Sequence, residues 1–469
     1  MISEGTVFNP LPIKTGKKQF MDGNIEKTGT GTLKQVLKTS FPAVIDLSSQ
    51  TITWLIEAIF LGQLSALALA GVGIAQQFIL LTFSILLTFV VGSSIIIVRY
   101  LGAKDEWNAN HILAQAFLIG LFLSFLIGLF WYFIVPLLLS LIRENGTKTK
   151  FYATTYIHTV SFFAPAIITN FIALGILRGV GDTLLTMTIN LIVNGLNLAL
   201  DVLLIFGLLG FPRLEARGAG LAVGIAQSVG LLITLYILRS RKASVFLAVS
   251  EITSPQWSTF KKLFKLGIPT TIEQLVWSTG QIILSFFAAR IGVIVLAVHQ
   301  VFVRIQSVLS MVNWGFAISG MTLVGKSIGA GDNKEAHKNG KMVARVSWIN
   351  AVVIGALLYI FSESVMAVFT HDAQVITLGK SIMLIFVILQ VPKALNTAYS
   401  GNLRGAADLA WLMWLAIGAV IMNEIIGAYI LSFGLGLGLA GLWLIQILDE
   451  SERLTLNIWR FNKGNWKKV

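Results

Sequence analysis

The sequence contains no cysteine, only five histidines and few charged residues. Without cysteine there is no disulfide framework and no thiol chemistry, and no Cys/His cluster exists that could hold a metal. Charged residues make up 12% of the 469 residues, whereas a soluble domain carries about 25%. Most of the chain therefore has no water to face, which excludes an ordinary soluble fold. Residues 1–35 also lack an apolar stretch long enough for the core of a signal peptide.

Long apolar runs dominate the sequence, and 55% of the residues are hydrophobic. The hydrocarbon core of a bilayer is about 30 Å thick, and about 20 apolar residues in a helix cross it. The runs 64–98, 111–142 and 151–177 exceed that length without one Asp, Glu, Lys or Arg. Because lipid cannot satisfy free backbone groups, each run is predicted to be a helix.

The apolar runs predict an all-α integral membrane protein with twelve transmembrane helices, each bounded to within a few residues. The last helix is the most polar, because Asp449, Glu450, Glu452 and Arg453 fall inside it. Asp449 and Arg453 are four residues apart and can pair on one helix face. The predicted segments, numbered 1 to 12, are 37–62, 67–98, 111–134, 152–177, 184–208, 217–238, 263–289, 294–325, 344–361, 376–400, 409–432 and 436–459.

Lysine and arginine predict the orientation of the chain, because they accumulate in cytoplasmic loops. They are dense after segments 6 and 8 and in the C-terminal tail, and absent from the loops after segments 1 and 11. Both termini are therefore predicted to be cytoplasmic, in a multi-pass protein of the cell (inner) membrane of a bacterium or archaeon. The net charge of +13 is spread over short loops rather than gathered on one domain, so we expect no nucleic-acid partner.

The two halves of the chain repeat each other, first at a shift of 227 residues and later at a shift of 226. Each half has six predicted helices, an even number, so both halves enter the membrane from the same side. This arrangement predicts two parallel six-helix lobes around a central cleft that holds the substrate. The matching pairs include Pro42 and Pro269, Asp46 and Glu273, Gly102 and Gly329, Arg178 and Arg404, Asp182 and Asp408, and Asn197 and Asn423.

The repeat also predicts the domain boundaries and two hinges. Pro42 and Pro269 stand early in the first helix of each lobe, where proline weakens the ladder of backbone hydrogen bonds, and they are the predicted hinges. The predicted domains are a disordered cytoplasmic tail at 1–36, an N-lobe at 37–238, a Lys/Arg-rich cytoplasmic linker at 239–262, a C-lobe at 263–459 and a basic cytoplasmic tail at 460–469.

Several motifs follow one another along the chain. They are Glu57 to Gly62, Leu177 to Thr183, the series Asn194, Asn197 and Asp201, then Gly267-Ile268-Pro269 with Glu273-Gln274, and Leu323-Val324-Gly325 with Gly329-Ala330-Gly331-Asp332. In this order they resemble the multidrug and toxic compound extrusion (MATE) family, over essentially all of the chain except the N-terminal tail. The resemblance implies an antiporter that takes up H⁺ or Na⁺ and exports amphipathic, often cationic, organic compounds.

Ionisable side chains inside membrane helices are costly, and they are functional candidates by default. Asp201 and Asn197 lie four residues apart on one face of segment 5, where a carboxylate and an amide can share a proton or ligate a cation. Glu57, near the end of segment 1, can reach that pair. Asp46 and Glu273 complete the predicted ion-coupling set. The alternative for each residue is a hydrogen bond between helices or a position at the membrane surface.

The coupling ion is predicted to be H⁺ rather than Na⁺. Some family members carry a Na⁺-site threonine in segment 6, where this chain has Val223. Na⁺ needs several oxygen ligands, as hard cations do. Segment 10 contains no acid, so a complete cation site in the C-lobe is not predicted, and the resemblance gives Glu424 in segment 11 no role. No cofactor is predicted, and no metal beyond Na⁺ at Asp201 and Asn197.

Amide side chains in apolar helices are the predicted substrate contacts, although they can equally link helices by hydrogen bonds. The charges that can be placed in the cleft are mostly acidic, which favours an organic cation. The alternative is a lipid-linked or polysaccharide-precursor flippase, which would prefer Arg and Lys. With no catalytic or ATPase motif, we expect a non-enzymatic monomer whose partners are a small organic substrate and the bilayer. The predicted cleft residues are Asn194, Gln76, Gln77, Gln281 and Gln300.

Overall fold

The computed structural model describes residues 33–140, 147–247 and 255–464, and within these ranges every regular element is a helix. Parts of the predicted cytoplasmic segments lie outside the described residues. They are 1–32 of the N-terminal tail, 248–254 of the linker and 465–469 of the C-terminal tail.

Twelve helical units follow one another along the described chain. They are α1 Leu33–Leu64, α2 Ala66–Gly102, α3 Glu106–Leu129, α4 Thr147–Phe162 with Ala164–Val180, α5 Thr183–Phe206, α6 Glu215–Arg239, α7 Trp257–Ile291, α8 Val293–Gly329, α9 Asn333–Ile360, α10 Ala373–Gly405, α11 Leu409–Ala419 and α12 Gly438–Lys463. Two units continue through π-helical turns, α3 through Phe130–Ile134 into Val135–Leu139, and α11 through Val420–Gly427 and Ile430–Gly434. A short helix, Ser362–Phe369, lies between α9 and α10.

Most of these helices are built to cross a membrane. Nine of the described helices are long and apolar enough to do so, and the two segments of α4, bent by 67°, together make a tenth. The other two, α7 and α12, span 35 and 26 residues and carry more charge. This set of helices agrees with the predicted twelve-helix fold.

Several helices begin earlier than the sequence predicts. α1 begins at Leu33 instead of 37, α7 at Trp257 instead of 263, and α9 at Asn333 instead of 344. Their first turns contain lysine and other polar residues, so apolarity alone does not reveal that the helix continues past the bilayer. α7 therefore begins inside the predicted linker 239–262, and the bounds of the linker stay a prediction.

The fourth crossing is bent, although the sequence predicts one straight helix over 152–177. Phe163 leaves the helical conformation, with φ −94° and ψ 2°, and Pro165 stands in the first turn of the segment that follows. Proline has no N–H to donate, and its ring crowds the preceding turn, so the helix breaks just upstream.

Each lobe has an apolar core of its own. In the N-lobe a continuous cluster of buried side chains extends from Leu61 of α1 to Leu238 of α6 and includes the fully buried Trp131. In the C-lobe Trp443 packs edge-on against Phe302 and Phe386, with ring centroids 5.3 and 5.2 Å apart. The two lobes meet through α1, α2, α7 and α8.

The lobes approach most closely where the C-terminal ends of α2 and α8 cross. A Cβ on Gly102 would overlap the carbonyl oxygen of Lys326, and a Cβ on Gly329 would overlap that of Arg99. The 227-residue shift exchanges these two contacts, so the crossing is symmetrical about the axis between the lobes. Arg99 Nη2 also donates to the carbonyl of Ala406 at 2.6 Å. The interface between the lobes is therefore closed at this end.

Candidate functional site

The N-lobe encloses a cavity of about 140 Å³ among α1, α2, α4, α5 and α6. Its walls are largely apolar and aromatic, and Phe83 and Phe171 stack there with their ring centroids 4.6 Å apart. Polar groups enter the wall from several helices and include Glu57, Gln76 and Tyr156. The cavity thus combines an aromatic surface with one acid, Glu57, and one base, Arg178, which pairs with Asp46.

Two carboxylates are buried in this region without a basic partner. Glu57 on α1 is 1% exposed, and Asp201 on α5 is 0% exposed. Gln76 donates to Glu57 Oε1 at 3.4 Å, and Asn197 donates to Asp201 Oδ2 at 3.3 Å. Asp201 Oδ1 has no hydrogen-bond partner, and no lysine or arginine of the described ranges pairs with either acid. The two carboxylates are close enough to interact electrostatically, so the structure brings together the predicted trio on α1 and α5.

A stripe of polar residues on α5 faces α1 and explains how this trio is positioned. Asn190 donates to Asp46 Oδ1 at 2.5 Å, and Asn194 donates to Ser49 Oγ at 3.1 Å. The polar residues of α5 recur every three or four positions, so they share one helix face. The stripe ends at Asp201, which α5 thereby turns towards α1.

The other two acids of the predicted ion-coupling set, Asp46 and Glu273, are each paired with an arginine. Arg178 Nε lies 2.9 Å from Asp46 Oδ2, and Arg404 Nη2 lies 2.8 Å from Glu273 Oε1. The repeat relates the two acids to each other and the two arginines to each other, so the ion pairs are equivalent. Their charges are already compensated, and they tie α1 to α4 and α7 to α10. A part in ion coupling stays a prediction for both acids.

The C-lobe has a second cavity, of about 300 Å³, with more charged side chains in its walls. Three basic side chains line it, Lys393, Arg404 and Arg453, together with Glu273 and Glu450. The prediction that the cleft charges are mostly acidic is wrong for this cavity. The sequence predicts that Lys393 and Arg453 lie within helices, but it does not predict that their side chains face the cavity.

The predicted cleft amides are scattered. Gln76 lines the N-lobe cavity, whereas the other four line neither cavity. Gln77 is exposed, and the exposed Gln300 reaches only Ser285, at 3.5 Å. Gln281 instead donates to Glu424 at 3.4 Å. Polarity alone does not distinguish the cleft face of a long helix from its other faces, which is why these amides are spread over the lobes.

Several polar residues of the N-lobe cavity are not predicted from the sequence, among them Tyr156, Asn170 and Gln227. Asn170 Nδ2 donates to Gln227 Oε1 at 2.9 Å, and Tyr156 is 2% exposed beside Glu57. All three stand in apolar helices, which is the signal that could have found them.

The two predicted hinge prolines, Pro42 and Pro269, stand inside α1 and α7. Both helices continue through the proline, from Leu33 to Leu64 and from Trp257 to Ile291. In this conformation the prolines therefore do not break their helices, and hinge movement at these positions stays a prediction.

Few oxygen atoms are free near Asp201 in the described part of the chain. The described residues hold no group of three or more Asp, Glu or His side chains that could share a metal ion. Val223, which stands where a threonine would supply an oxygen, lines the N-lobe cavity with an apolar side chain. The buried oxygens left without a partner there are Asp201 Oδ1 and Asn197 Oδ1, and Na⁺ takes more ligands than these.

Comparison with known proteins identifies the family. Two copies of the MatE family profile match the chain, over 42–203 and 269–430, and together they cover more than half of it. The chain belongs to this family of multidrug efflux transporters. The two matches begin 227 residues apart, which is the shift of the internal repeat.

Individual relatives agree with this assignment along nearly the whole chain. The "Probable multidrug resistance protein NorM" of Thermotoga maritima is 28% identical over 439 residues, 93% of each chain. A MATE family transporter of the MOP superfamily, solved in an outward-facing conformation, gives a TM-score of 0.83 at 22% identity and covers 93% of this chain and 96% of its own. A MOP superfamily transporter from Pyrococcus furiosus is described as having a binding pocket of reverse polarity. It gives a TM-score of 0.82 at 24% identity and covers 93% of this chain and 96% of its own. These likenesses confirm the predicted fold class, a multi-pass membrane protein of two six-helix lobes.

Proposed function

We propose that this transporter exchanges H⁺ for amphipathic, often cationic, organic compounds across the cell membrane by rocking its two lobes. The observation that carries the proposal is the pair of buried carboxylates, Glu57 and Asp201, which have no basic partner among the described residues. An uncompensated charge in a protein interior costs several kcal/mol, so these carboxylates favour a bound proton or a bound cation.

In this proposal a proton and an organic cation compete for the same two acids. A cationic substrate in the N-lobe cavity neutralises the carboxylates, whereas protonated acids no longer attract it. Trp54, Phe83 and Phe171 line the cavity, and a cation over an aromatic face gains about 0.5–2 kcal/mol. The cavity and the acid pair thus supply the parts that exchange requires.

The crossing of α2 and α8 supports the rocking motion. It closes the lobe interface at the end that the Lys and Arg distribution predicts to be cytoplasmic, so we assign this conformation as outward-facing. The closest contacts join the backbone of Gly102 to that of Lys326 and the backbone of Gly329 to that of Arg99. Contacts of this kind let rigid lobes separate without unfolding a helix. Parting them would present the cavity to the cytoplasm.

Efflux from liposomes tests the proposal. Purified protein is reconstituted, a fluorescent organic cation is supplied, and a pH gradient and a Na⁺ gradient are imposed separately. We expect the pH gradient alone to drive efflux, and Asp201→Asn to reduce it about tenfold or more.

The matched control for this experiment is Glu363→Gln, because Glu363 is an acid whose side chain is 69% exposed and pairs with Lys380 at the surface. It is expected to leave efflux unchanged. Efflux driven by Na⁺ alone would reject proton coupling, and undiminished efflux by Asp201→Asn would reject the N-lobe site.

A second candidate function is a flippase for an anionic lipid-linked substrate. Lys393, Arg404 and Arg453 line the C-lobe cavity, and the Pyrococcus furiosus relative is described as having a pocket of reverse polarity. Each of the three bases already lies within 3.4 Å of a carboxylate, which reduces its attraction for phosphate. No efflux under either gradient, together with transport of a lipid-linked sugar phosphate in the same liposomes, would favour this candidate.

A further inference from the structure

A group of charged side chains is buried where α10, α11 and α12 meet α7. It consists of Lys393, Glu424, Asp449, Glu450 and Arg453, each 9% exposed or less, and is termed the C-lobe charge cluster. None of its members belongs to the N-lobe site proposed above. Lys393, Glu450 and Arg453 face the C-lobe cavity, whereas Glu424 lies behind them, towards α7.

The C-lobe charge cluster contains one more acid than it has bases. Lys393 Nζ lies 3.2 Å from Glu450 Oε1, and Arg453 pairs both with Glu450, at 3.4 Å, and with Asp449. The two bases, Lys393 and Arg453, are thus paired with the two acids of α12, Asp449 and Glu450. Glu424 has no ion-pair partner among the described residues. Two positive and three negative charges would leave a net charge of −1 in the lobe interior. Because an unpaired buried charge is so costly, one acid of the cluster favours a proton.

The immediate neighbours of Glu424 supply one long hydrogen bond and no positive charge. Gln281 of α7 donates to Oε1 at 3.4 Å, and Oε2 has no hydrogen-bond partner. Oε2 faces Gly280 of α7, where a side chain would overlap it. The charged groups that act on Glu424 from further away are the other four members of the cluster, on α10 and α12.

The backbone around Glu424 is distorted in a way that points to function. Glu424 lies in the middle of the π-helical segment Val420–Gly427. π-helical turns are rare in proteins as a whole, and those that occur are often found at functional sites. The preceding residue, Asn423, faces α12, where it donates to Asp449 at 3.2 Å and to Glu452 at 2.9 Å. The π-helical segment therefore presents Asn423 to α12 and the next residue, Glu424, to α7.

We propose that Glu424 is a second proton-binding site, in the C-lobe, and that it gains and loses its proton during the transport cycle. A proton fits better than a metal ion, because no three acid or histidine side chains of the described ranges are arranged so that they could hold a metal ion. Lys393 and Arg453 would also repel a further cation. A protonated Glu424 is neutral and rests against Gly280, whereas an ionised Glu424 is drawn towards the two bases.

Such a change would reach the other lobe, because α7 is one of the helices that join the lobes. Gly267 and Thr271 of α7 lie against Thr88 of α2, about 14–20 Å along α7 from Gly280. Movement of α11 against α7 is therefore transmitted to the lobe interface. Proton binding at Glu424 does not depend on the N-lobe exchange proposed above, so each can fail without the other.

Infrared difference spectroscopy on the purified full chain tests the site directly, because protonated carboxyl groups have a C=O stretching band of their own. During a pH titration we expect Glu424→Gln to remove one component of this band and Asp201→Asn to remove a different one. The exposed control Glu363→Gln is expected to change neither component. A band unaltered by Glu424→Gln would overturn the proposal, whatever Asp201→Asn shows.

Two further measurements complete the test. In liposomes, Glu424→Gln is expected to lower the number of protons exchanged per substrate by about one, and an unchanged ratio would overturn the coupling of this site to transport. Gly280→Ala keeps Glu424 and places a methyl group against its carboxylate. This variant replaces Glu424→Gln in the test if Glu424→Gln does not fold. We expect this variant to shift the pH midpoint of the Glu424 component alone, and an unmoved midpoint would contradict the site.

Discussion

The two lobes share a framework but bury different acids. Asp46 pairs with Arg178 at 2.9 Å in the N-lobe, and Glu273 pairs with Arg404 at 2.8 Å in the C-lobe. These four residues occupy equivalent positions in the repeat, and each pair joins the first helix of its lobe to the fourth. A contact that recurs in both halves is explained by what a six-helix lobe needs in order to fold.

The unpaired acids do not recur. On the same shifts Glu57 falls on Leu284, Asp201 falls on Gly427, and the N-lobe position equivalent to Glu424 is Leu198. An acid that one lobe buries and the other replaces by an apolar residue is not required by the fold, so it calls for an explanation specific to its lobe. The comparison therefore separates structural charges from the charges that we assign to proton binding.

The largest effect is expected where the shared framework is broken. Arg178→Ala leaves Asp46, whose side chain is 0% exposed, charged in the interior without its ionic partner and with the hydrogen bond from Asn190. Removing one partner of a buried ion pair costs about 3–5 kcal/mol, so we expect a large fall in the thermal unfolding temperature of the purified protein. Arg404→Ala leaves Glu273, whose side chain is 19% exposed, and should cost less because water solvates the remaining charge.

The control for this prediction is the double variant Arg178→Ala/Asp46→Asn. It removes both charges and is expected to recover most of the lost stability. Equal and small decreases in the unfolding temperature of both single variants would show that the recurring ion pairs do not stabilise the fold of each lobe.

A smaller effect is expected at the symmetrical crossing of α2 and α8. Gly102→Ala and Gly329→Ala each place a methyl group against backbone of the other lobe, and overpacking of this kind costs about 1–3 kcal/mol. Both variants should therefore favour separation of the lobes at the closed end. The chain has no cysteine, so Thr322→Cys, at a site 1% exposed on α8 whose hydroxyl donates to the carbonyl of Gly179 in the other lobe, provides a single reporter. We expect its reaction with a maleimide to become about fivefold faster or more.

Gly73→Ala is the matched control for this crossing, because a Cβ at Gly73 of α2 would meet no atom within 4 Å. It should leave the labelling rate unchanged. If Gly102→Ala accelerates labelling and Gly329→Ala does not, the crossing is not symmetrical in energy, although it is symmetrical in geometry.

The sequence predicts those features that depend on apolarity and on spacing along one helix. The twelve helices follow from apolar length, and the pairing of Asn197 with Asp201, at 3.3 Å, follows from their spacing of four residues. The pairing of Asp449 with Arg453 on α12 follows in the same way. Such predictions succeed because neighbours on one helix face need no knowledge of how helices pack.

Features that depend on contacts between helices cannot be predicted from this sequence alone. The sequence reveals neither that Arg178 lies against Asp46, 132 positions away, nor that Lys393 faces Glu450. For this reason the three bases that line the C-lobe cavity are not predicted from the sequence, which places mostly acidic charges in the cleft. The π-helical turn around Glu424 contains no proline that would mark it in the sequence, unlike the bend at Phe163.

The smallest effect is expected from restoring one oxygen to the N-lobe. Val223→Thr keeps the shape of the side chain and adds a hydroxyl to the cavity that Glu57 lines, at a cost of about 1 kcal/mol if the hydroxyl is left without a partner. We expect H⁺-driven efflux to stay near the wild-type rate and a weak Na⁺-driven efflux to appear, because Na⁺ gains a ligand. Val223→Ala changes the same position without an oxygen and should not respond to Na⁺. Efflux driven by Na⁺ in all three proteins would mean that other oxygens already form the site. A gain confined to Val223→Thr would show that ion choice in the N-lobe depends on one missing ligand, whereas in the C-lobe charge cluster Lys393 and Arg453 repel a metal cation.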